Sequence, residues 1–406
     1  MSPIHNDREL VVLAVDWPGD DGGYRMSAKS CLLTYLEVFS RVHYICVTDR
    51  PFCSQDRWSD SSVEWVHVPT ATHPLWLRFL LSLRSMQPAI ISRYRRAMRR
   101  ILNAVSESVQ SCRSNGHRPF IVMDLPMTFL LKPVRKQFPE IKAAVNSHDL
   151  LSRSFGTLAR QGTLFKRLAW KIELARIKRF ERNACHGADV YWAITQNDAE
   201  EYRNIFSFRV DGVFSRGVDA SSYHAVSKGQ PNAVVHVGTA DLRKGTGLQH
   251  FIKNAWPVVR TRVPGARLVL AGRCTERFSD SGAGIEGLGF VDDDRDVLGR
   301  GMIFLNSQNI GAGLQFKSII AMLAGKALVS TSIGIEGIEG NDGEHFFVAD
   351  APGDMATRIV SLMNDPALAE RAGERARNLM LQTRAYETTL SKAVPLVEGF
   401  AALDSR

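Results

Sequence analysis

The sequence predicts an α/β protein built from two successive parallel-sheet halves. Three observations predict it. Short apolar runs alternate with helical patterns along the chain, starting at residues 10–15 (LVVLAV), which is the pattern of buried parallel strands separated by crossover helices. Glycine-rich loops follow such runs at 16–23 (DWPGDDGG), 238–247 and 309–313. The length of 406 residues also exceeds a typical domain of ~100–200.

The elements follow in order. After the strand at 10–15 and its loop come a helix over 24–39 and a strand over 42–48, the opening of a Rossmann-like half. A dinucleotide GxGxxG is absent, so nicotinamide or flavin binding has little support. Residues 75–83 (LWLRFLLSL) read as an apolar or interfacial helix, too short to span a bilayer. A helix over 90–109 carries Arg93, Arg95, Arg96, Arg99 and Arg100. Strands at 120–123 and 143–146 follow, the second running into Ser147, His148 and Asp149. A long basic helix covers 164–184, then a strand 190–195, with Gln196, Asn197 and Asp198 expected to cap the next helix. The second series has strands at 234–237, 266–271, 285–290, 302–305 and 327–331. Its helices are 248–263, broken by Pro264, then 316–323, 356–363, 367–382 and 386–403. The predicted boundaries are 1–212, 213–385, and a final helix within 386–406 that packs back towards the first domain.

Composition bounds the function. Hydrophobic residues at 45% and charged residues at 23% are ordinary for a soluble globular protein. Six cysteines are scattered without a CxxC pair, which argues for reduced thiols in a cytoplasm and against a zinc ribbon or disulfide scaffold. No basic-then-apolar leader opens the sequence and no transmembrane run is present. The net charge of +9 is concentrated in the arginine group at 93–100 and along 160–182. Such clusters meet nucleic acid, anionic lipid or phosphorylated substrates, or are simply solvated helix faces. No nucleic-acid motif and no interleaved aromatics accompany them, so nucleic acid is not an expected partner. Asp292, Asp293 and Asp294 read as a solvated turn, and no metal site is expected.

The most informative stretch is 309–337 (NIGAGLQFKSIIAMLAGKALVSTSIGIEG). A glycine loop leads into an apolar helix with Lys317 in its first turn. Free N–H groups and the helix dipole favour an anion there, and a cation so placed is unfavourable for the helix alone. His148, at a strand end, is a residue type that exchanges protons near neutrality. Read alone, Lys317 is equally a solvated lysine, and His148 a residue satisfied by its own loop.

These motifs resemble the retaining family-four (group 1) glycosyltransferases, in particular their C-terminal domain. The resemblance rests on Gly311 to Gly313, Lys317, Ala321-Met322-Leu323-Ala324-Gly325, Val329-Ser330-Thr331 and Gly334-Ile335-Glu336-Gly337. It extends to Gly22-Gly23, Ser147-His148-Asp149, Phe180-Glu181-Arg182, Ala188-Asp189, Thr195-x-x-Asp198, Gly217-Val218-Asp219 with Tyr223, and the loop 238–245. It implies a GT-B fold, two Rossmann-like domains facing across a cleft. It implies transfer of a sugar from a nucleotide diphosphate sugar to a glycan, lipid-linked or small-molecule acceptor, with retention and without metal or cofactor. Lys244, Arg243, Gly22, Gly23, Gly311, Gly313, Leu314 and Lys317 would hold the diphosphate. His148 and Asp149 would face the sugar, and Glu336 the ribose. A cytoplasmic protein, peripheral at the inner face of an anionic membrane, fits the basic first half. The chain departs from the family where Thr239 replaces an Arg, where Ile320 replaces the ribose-binding Glu, and at Ala312, where some members carry an acid. Arg216 stands where the family has Asn. The first three departures keep open a catalytically impaired partner subunit. A nucleotide-sugar epimerase on the same fold matches the glycine loops less well.

Overall fold

In a computed structural model of the chain, described over residues 5–20, 22–51, 60–71, 77, 87–160, 163–239, 246–311 and 313–403, the polypeptide divides into two units. The first is Met1–Arg216 with Thr389–Arg406, and the second is Gly217–Thr388.

The first unit holds seven strands: β1 (His5–Ala14), β2 (Phe39–Thr48), β3 (Val63–Pro69), β4 (Arg118–Asp124), β5 (Ala143–Asn146), β6 (Val190–Ala193) and β7 (Gly212–Val213). Their order is β3-β2-β1-β4-β5-β6-β7, and the adjacent pairs are parallel. Alternation along β1 shows why the sheet is covered on both faces. Val11 and Leu13 belong to a core with Ile101, Val105 and Val109 of helix Met98–Ser114. Leu10, Val12 and Ala14 point into another core, with Cys31, Leu32 and Tyr35 of helix Gly23–Val38. Successive strand side chains face opposite ways, so an apolar run with no polar alternation must be buried twice. Ala393, Val397 and Phe400 of helix Tyr386–Ala401 join the second of these cores, and Phe400 stands edge-on to Phe120 and Trp192.

The second unit holds β8 (Gln230–Val237), β9 (Arg267–Ala271), β10 (Ile285–Gly287), β11 (Gly301–Asn306), β12 (Ala327–Ser330) and β13 (Phe347–Val348). Their order is β10-β9-β8-β11-β12-β13, again parallel. Both sheets therefore reverse their winding beside the first strand, between β1 and β4 and between β8 and β11. Ligands of open α/β sheets bind beyond the carboxyl ends of strands at such a switch point.

Several expectations need correction. The helix expected over 90–109 is a 3-10 turn Ala89–Ile91 followed by helices Ser92–Arg96 and Met98–Ser114. The helix expected over 248–263 is split into Thr246–Asn254 and Trp256–Arg262. Pro257, in the first turn of the later piece, has no N–H to donate and its ring crowds the carbonyl four residues back, so a continuous helix cannot form. Thr195, not Asp198, caps helix Gln196–Phe206: its side chain accepts the Asp198 N–H at 3.1 Å. Asp198 answers by accepting the Thr195 hydroxyl at 2.8 Å. Of the triple aspartate expected as a solvated turn, Asp292 is exposed on a bend, but the other two serve the helix that follows. Asp293 caps helix Asp294–Leu298, and burial, reinforced by Asp293, raises Asp294 to about 6. Arg176, in the basic helix, is buried beside Glu173. The apolar segment 75–83 lies outside the described residues apart from position 77. Among the described residues, no helix is long and apolar enough to cross a membrane.

Candidate functional site

In the first unit, the carboxyl ends of β1, β4 and β5 bring together residues far apart in sequence. Val15 follows β1, Asp124 ends β4, and His148 lies two residues beyond β5. Helix Gly23–Val38 adds Tyr24 and Ser27. Asp124 is the hub. Its Oδ2 accepts the Val15 N–H at 3.1 Å and the Tyr24 hydroxyl, and its Oδ1 accepts from His148 Nε2 at 2.8 Å. A carboxylate only accepts, so the contact assigns the proton to Nε2. His148 Nδ1 meets the Ser27 hydroxyl at 2.8 Å, and Ser27 Oγ accepts from Arg216 Nε at 3.1 Å. Arg216 is fully buried. It is held by the Asn146 side-chain oxygen and the Phe214 carbonyl, and its guanidinium lies over the Phe214 ring. Both ring nitrogens of His148 thus have protein partners, and the imidazole is locked in one tautomer and one orientation, tilted against Tyr24 at 4.7 Å between ring centroids. Asp149 is exposed beside it.

Gly22 and Gly23 stand at the start of helix Gly23–Val38, exposed, with no acidic residue in the first turn. Gly22 has φ +75°, a left-handed conformation that glycine adopts without strain.

In the second unit, Lys317 lies in the first turn of helix Phe316–Leu323. A Cβ on Gly238, just past β8, would sit 4.0 Å from its Nζ and 3.2 Å from His236 Nε2. His236 is buried and donates through Nδ1 to the Leu305 carbonyl at 2.9 Å. Burial, with the Lys317 charge adding to it, pushes its pKa down to about 4. Nε2 is therefore left as an acceptor beside the Gly238 turn. Gly311, Gly313 and Leu314 precede the helix; Gly313 has φ +79°, and Leu314 is buried. Asn306, at the end of β11, ties the loops together. Its Nδ2 donates to Ser318 Oγ and to the Gly334 carbonyl, both at 2.9 Å, and the Ser318 hydroxyl donates to the same carbonyl at 2.6 Å. A Cβ on Gly334 would meet Ser330 Oγ at 2.3 Å, so only glycine lets this loop close on the helix. Glu336 follows, buried.

Arg243 and Lys244 lie outside the described residues, as does Ala312. Thr239 is exposed and Ile320 buried.

Sequence reasoning missed Asp124, Tyr24, Ser27, Arg216 and His236 as parts of these sites. It also missed a cluster at the other end of the first sheet. There Glu9 Oε2 meets His43 Nε2 at 2.8 Å and Oε1 meets His117 Nδ1 at 2.6 Å. Burial acts to raise Glu9, but the His43 and His117 hydrogen bonds outweigh it and hold the group at about 2. Cys112 Sγ lies in the same cluster, with one donor atom from each of Glu9, His43 and Cys112 within 4.8 Å of one another. The Glu–His contacts are hydrogen-bond distances, shorter than the roughly 3.4 Å that separates neighbouring tetrahedral ligands at zinc bond lengths.

Comparison with known proteins places this geometry. Residues 231–365 match the family Glycosyl transferases group 1. No curated protein matches the chain. Among solved structures, sucrose-phosphate synthase from Thermosynechococcus elongatus aligns with a TM-score of 0.71 at 14% identity, over 98% of this chain and 100% of that one. TarM, of S. aureus, aligns at 0.67 and 12%, over 98% and 99%. Anabaena HepE, solved in complex with UDP, aligns at 0.61 and 13%, over 97% and 100%. At these identities the likeness establishes the fold, which is GT-B. With a group 1 glycosyltransferase domain in its second unit, the chain is a glycosyltransferase.

Proposed function

We propose that this glycosyltransferase moves a sugar from a nucleotide diphosphate sugar to a carbohydrate or lipid-linked acceptor, with retention and without a metal ion. The observation that carries the reading is the position of Lys317 beside the Gly238 turn, inside the segment that matches the group 1 family. A cation at a switch point, beside a glycine turn where a Cβ would crowd His236 at 3.2 Å, is suited to a diphosphate whose charge grows as the sugar departs. Preorganised charge of that kind is usually the largest contribution to catalysis.

In this reading Lys317, Lys244 and Arg243 neutralise the diphosphate, and the N–H groups at Gly311, Gly313, Leu314 and Gly22-Gly23 donate to its oxygens. Glu336 is assigned to the ribose, and His148 and Asp149 to the sugar. No protein nucleophile is needed: the bond from the anomeric carbon to the diphosphate oxygen breaks, the acceptor oxygen bonds to the same face, and the departing oxygen takes the acceptor proton. His148, with both nitrogens already bonded, contributes shape and dipole, not proton transfer. The structures of HepE with UDP and with UDP-glucose make uridine the first nucleotide to test. The acceptor is assigned to an anionic membrane surface, on the basic character of the first unit.

A panel of UDP, GDP, ADP, CDP and dTDP in thermal unfolding tests this, first without metal and then with magnesium. A ligand at ~100 times its Kd adds about 2.7 kcal/mol. One clear responder, equal in both conditions, is expected, followed by turnover of the corresponding donor sugar. No response at millimolar nucleotide favours the second reading, an impaired partner subunit. That reading has its own support in the neutral Thr239 and the apolar, buried Ile320.

A further inference from the structure

We propose that the first turns of helix Leu164–Gly187 are the element that docks this protein on an anionic lipid bilayer. Four of the seven exposed large hydrophobics among the described residues fall here: Leu164 is 79% exposed, Phe165 87%, Leu168 59% and Ile172 42%. Leu164, Leu168 and Ile172 recur every four residues, so they form one stripe, with Phe165 at its side. Between Leu164 and Ile172 no residue is buried. Trp170, on the same stretch, stands edge-on to Phe155 at 5.7 Å. A contiguous apolar stripe left in water marks an interaction site.

The charges decide the occupant. Lys166, Arg167, Lys171, Lys178, Arg179 and Arg182 are exposed on this helix. Its two acids, Glu173 and Glu181, are both buried. The solvent face is therefore apolar and purely cationic, the pattern of a helix lying in a bilayer interface with its cations at anionic headgroups. A second copy of the chain is a poor occupant, because a two-fold contact would set these cations against the same six. Nucleic acid would use the cations but leave the leucines and Phe165 without a role. The inference deepens the membrane assignment in the proposed function, yet it stands apart from the donor chemistry.

Sedimentation of the full chain with vesicles, in the absence of nucleotide, tests it. Phosphatidylcholine vesicles are compared with the same vesicles containing one third phosphatidylglycerol. The expected result is at least roughly tenfold tighter binding to the anionic vesicles. Leu164→Ser with Phe165→Ser and Leu168→Ser should weaken binding to the anionic vesicles by roughly tenfold or more. Lys166→Gln with Arg167→Gln and Lys171→Gln should abolish most of the preference for anionic lipid. These residues are exposed, so unchanged circular dichroism and unfolding temperature will confirm that both variants fold. Equal binding to the two vesicle types, or unchanged binding by the apolar variant, overturns the proposal. So does a wild-type dimer that the apolar variant converts to monomer, which would name a second copy as the occupant. Because the vesicles carry no donor, failure of the sugar-transfer reading would leave this result intact, and the reverse.

Discussion

Glu181→Gln should stabilise the first unit, and by an amount that grows with pH. Glu181 lies fully buried in helix Leu164–Gly187. Both of its oxygens accept the Ser152 N–H at 3.3 Å. Ser152 is in the first turn of helix Leu151–Leu158, whose preceding residue, Leu150, has no side chain able to cap it. Glu181 thus meets an orphan N–H of the helix that follows the His148 loop. Burial raises its pKa from the ordinary 4.5 to about 7. For an acid shifted upward, folding favours the protonated form. Stability is full below the unfolded value of 4.5, falls as pH rises from there, and levels off above about 7. The whole shift corresponds to about 3 kcal/mol, of which about 1 kcal/mol is lost by pH 5 and nearly all by pH 8. Gln keeps an oxygen for the Ser152 N–H and has no charge to desolvate. The assay is thermal unfolding of both proteins at pH 5 and pH 8. The Tm gain should rise from a few degrees or less to roughly 6–12 °C, at 2–4 °C per kcal/mol for a unit of this size. An equal gain at both pH values, or a loss at pH 8, would show that ionisation of Glu181 is not the penalty and refute the reasoning.

The remaining predictions concern the two switch points and the packing behind them. Asp124→Asn should turn its amide NH2 to His148 Nε2, since Val15 and Tyr24 both require an acceptor; the His148 tautomer then reverses, read from 15N shifts, and stability falls by about 1–3 kcal/mol. An unchanged tautomer would contradict the assignment of the Nε2 proton to the Asp124 bond. Lys317→Met should raise the pKa of His236 only part of the way from about 4, since burial is the larger cause, and should weaken nucleotide binding by roughly tenfold to a hundredfold; unchanged affinity would remove Lys317 from the diphosphate site. Gly373→Ala places a Cβ 2.1 Å from the Gly325 carbonyl oxygen, and overpacking of about 1–3 kcal/mol should exceed the ~1 kcal/mol gain in helix propensity, lowering Tm by several degrees; a rise in Tm would mean that the helix shifts freely.

The fold was legible because its signals are local. Apolar runs such as 10–15 and 234–237 have to be strands buried on both faces; 234–237 lies within β8, and 10–15 lies within β1 except for Val15, which follows it. Element ends were less legible where the deciding interaction is one atom. Pro257 breaks its helix through a missing N–H, a signal present in the sequence and outweighed by the apolar pattern around it. At Thr195 and Asp198 both residue types are good caps, and only the bond geometry decides which one takes the role. The apolar stripe of helix Leu164–Gly187 was hidden for a different reason. Leucines at helical spacing read as core, and only their exposure shows that no core covers them.

The candidate site divides along the same line. Gly311, Gly313, Lys317 and His148 stand in compact motifs, so residue type and spacing were enough to single them out. The residues that position them come from elsewhere. Asp124 is one of many aspartates until the pairing of β4 with β5 sets it opposite Asn146. That register puts a carboxylate and an amide side by side at the strand ends. His148, two residues on, can then reach Asp124 Oδ1, while Asn146 Oδ1 holds Arg216, which in turn donates to Ser27 and so orders the other nitrogen of His148. Arg216 is the last residue of the first unit's main segment, at a position where sequence resemblance leads one to expect Asn. Its charge is fully buried, so it is tolerated only because the Asn146 and Phe214 oxygens and the Ser27 hydroxyl accept its N–H groups. The substitution is therefore coupled to the site: shortening Arg216 would leave Asn146 Oδ1 and Ser27 Oγ without their donor, and the imidazole orientation would loosen with no change in any residue that faces it.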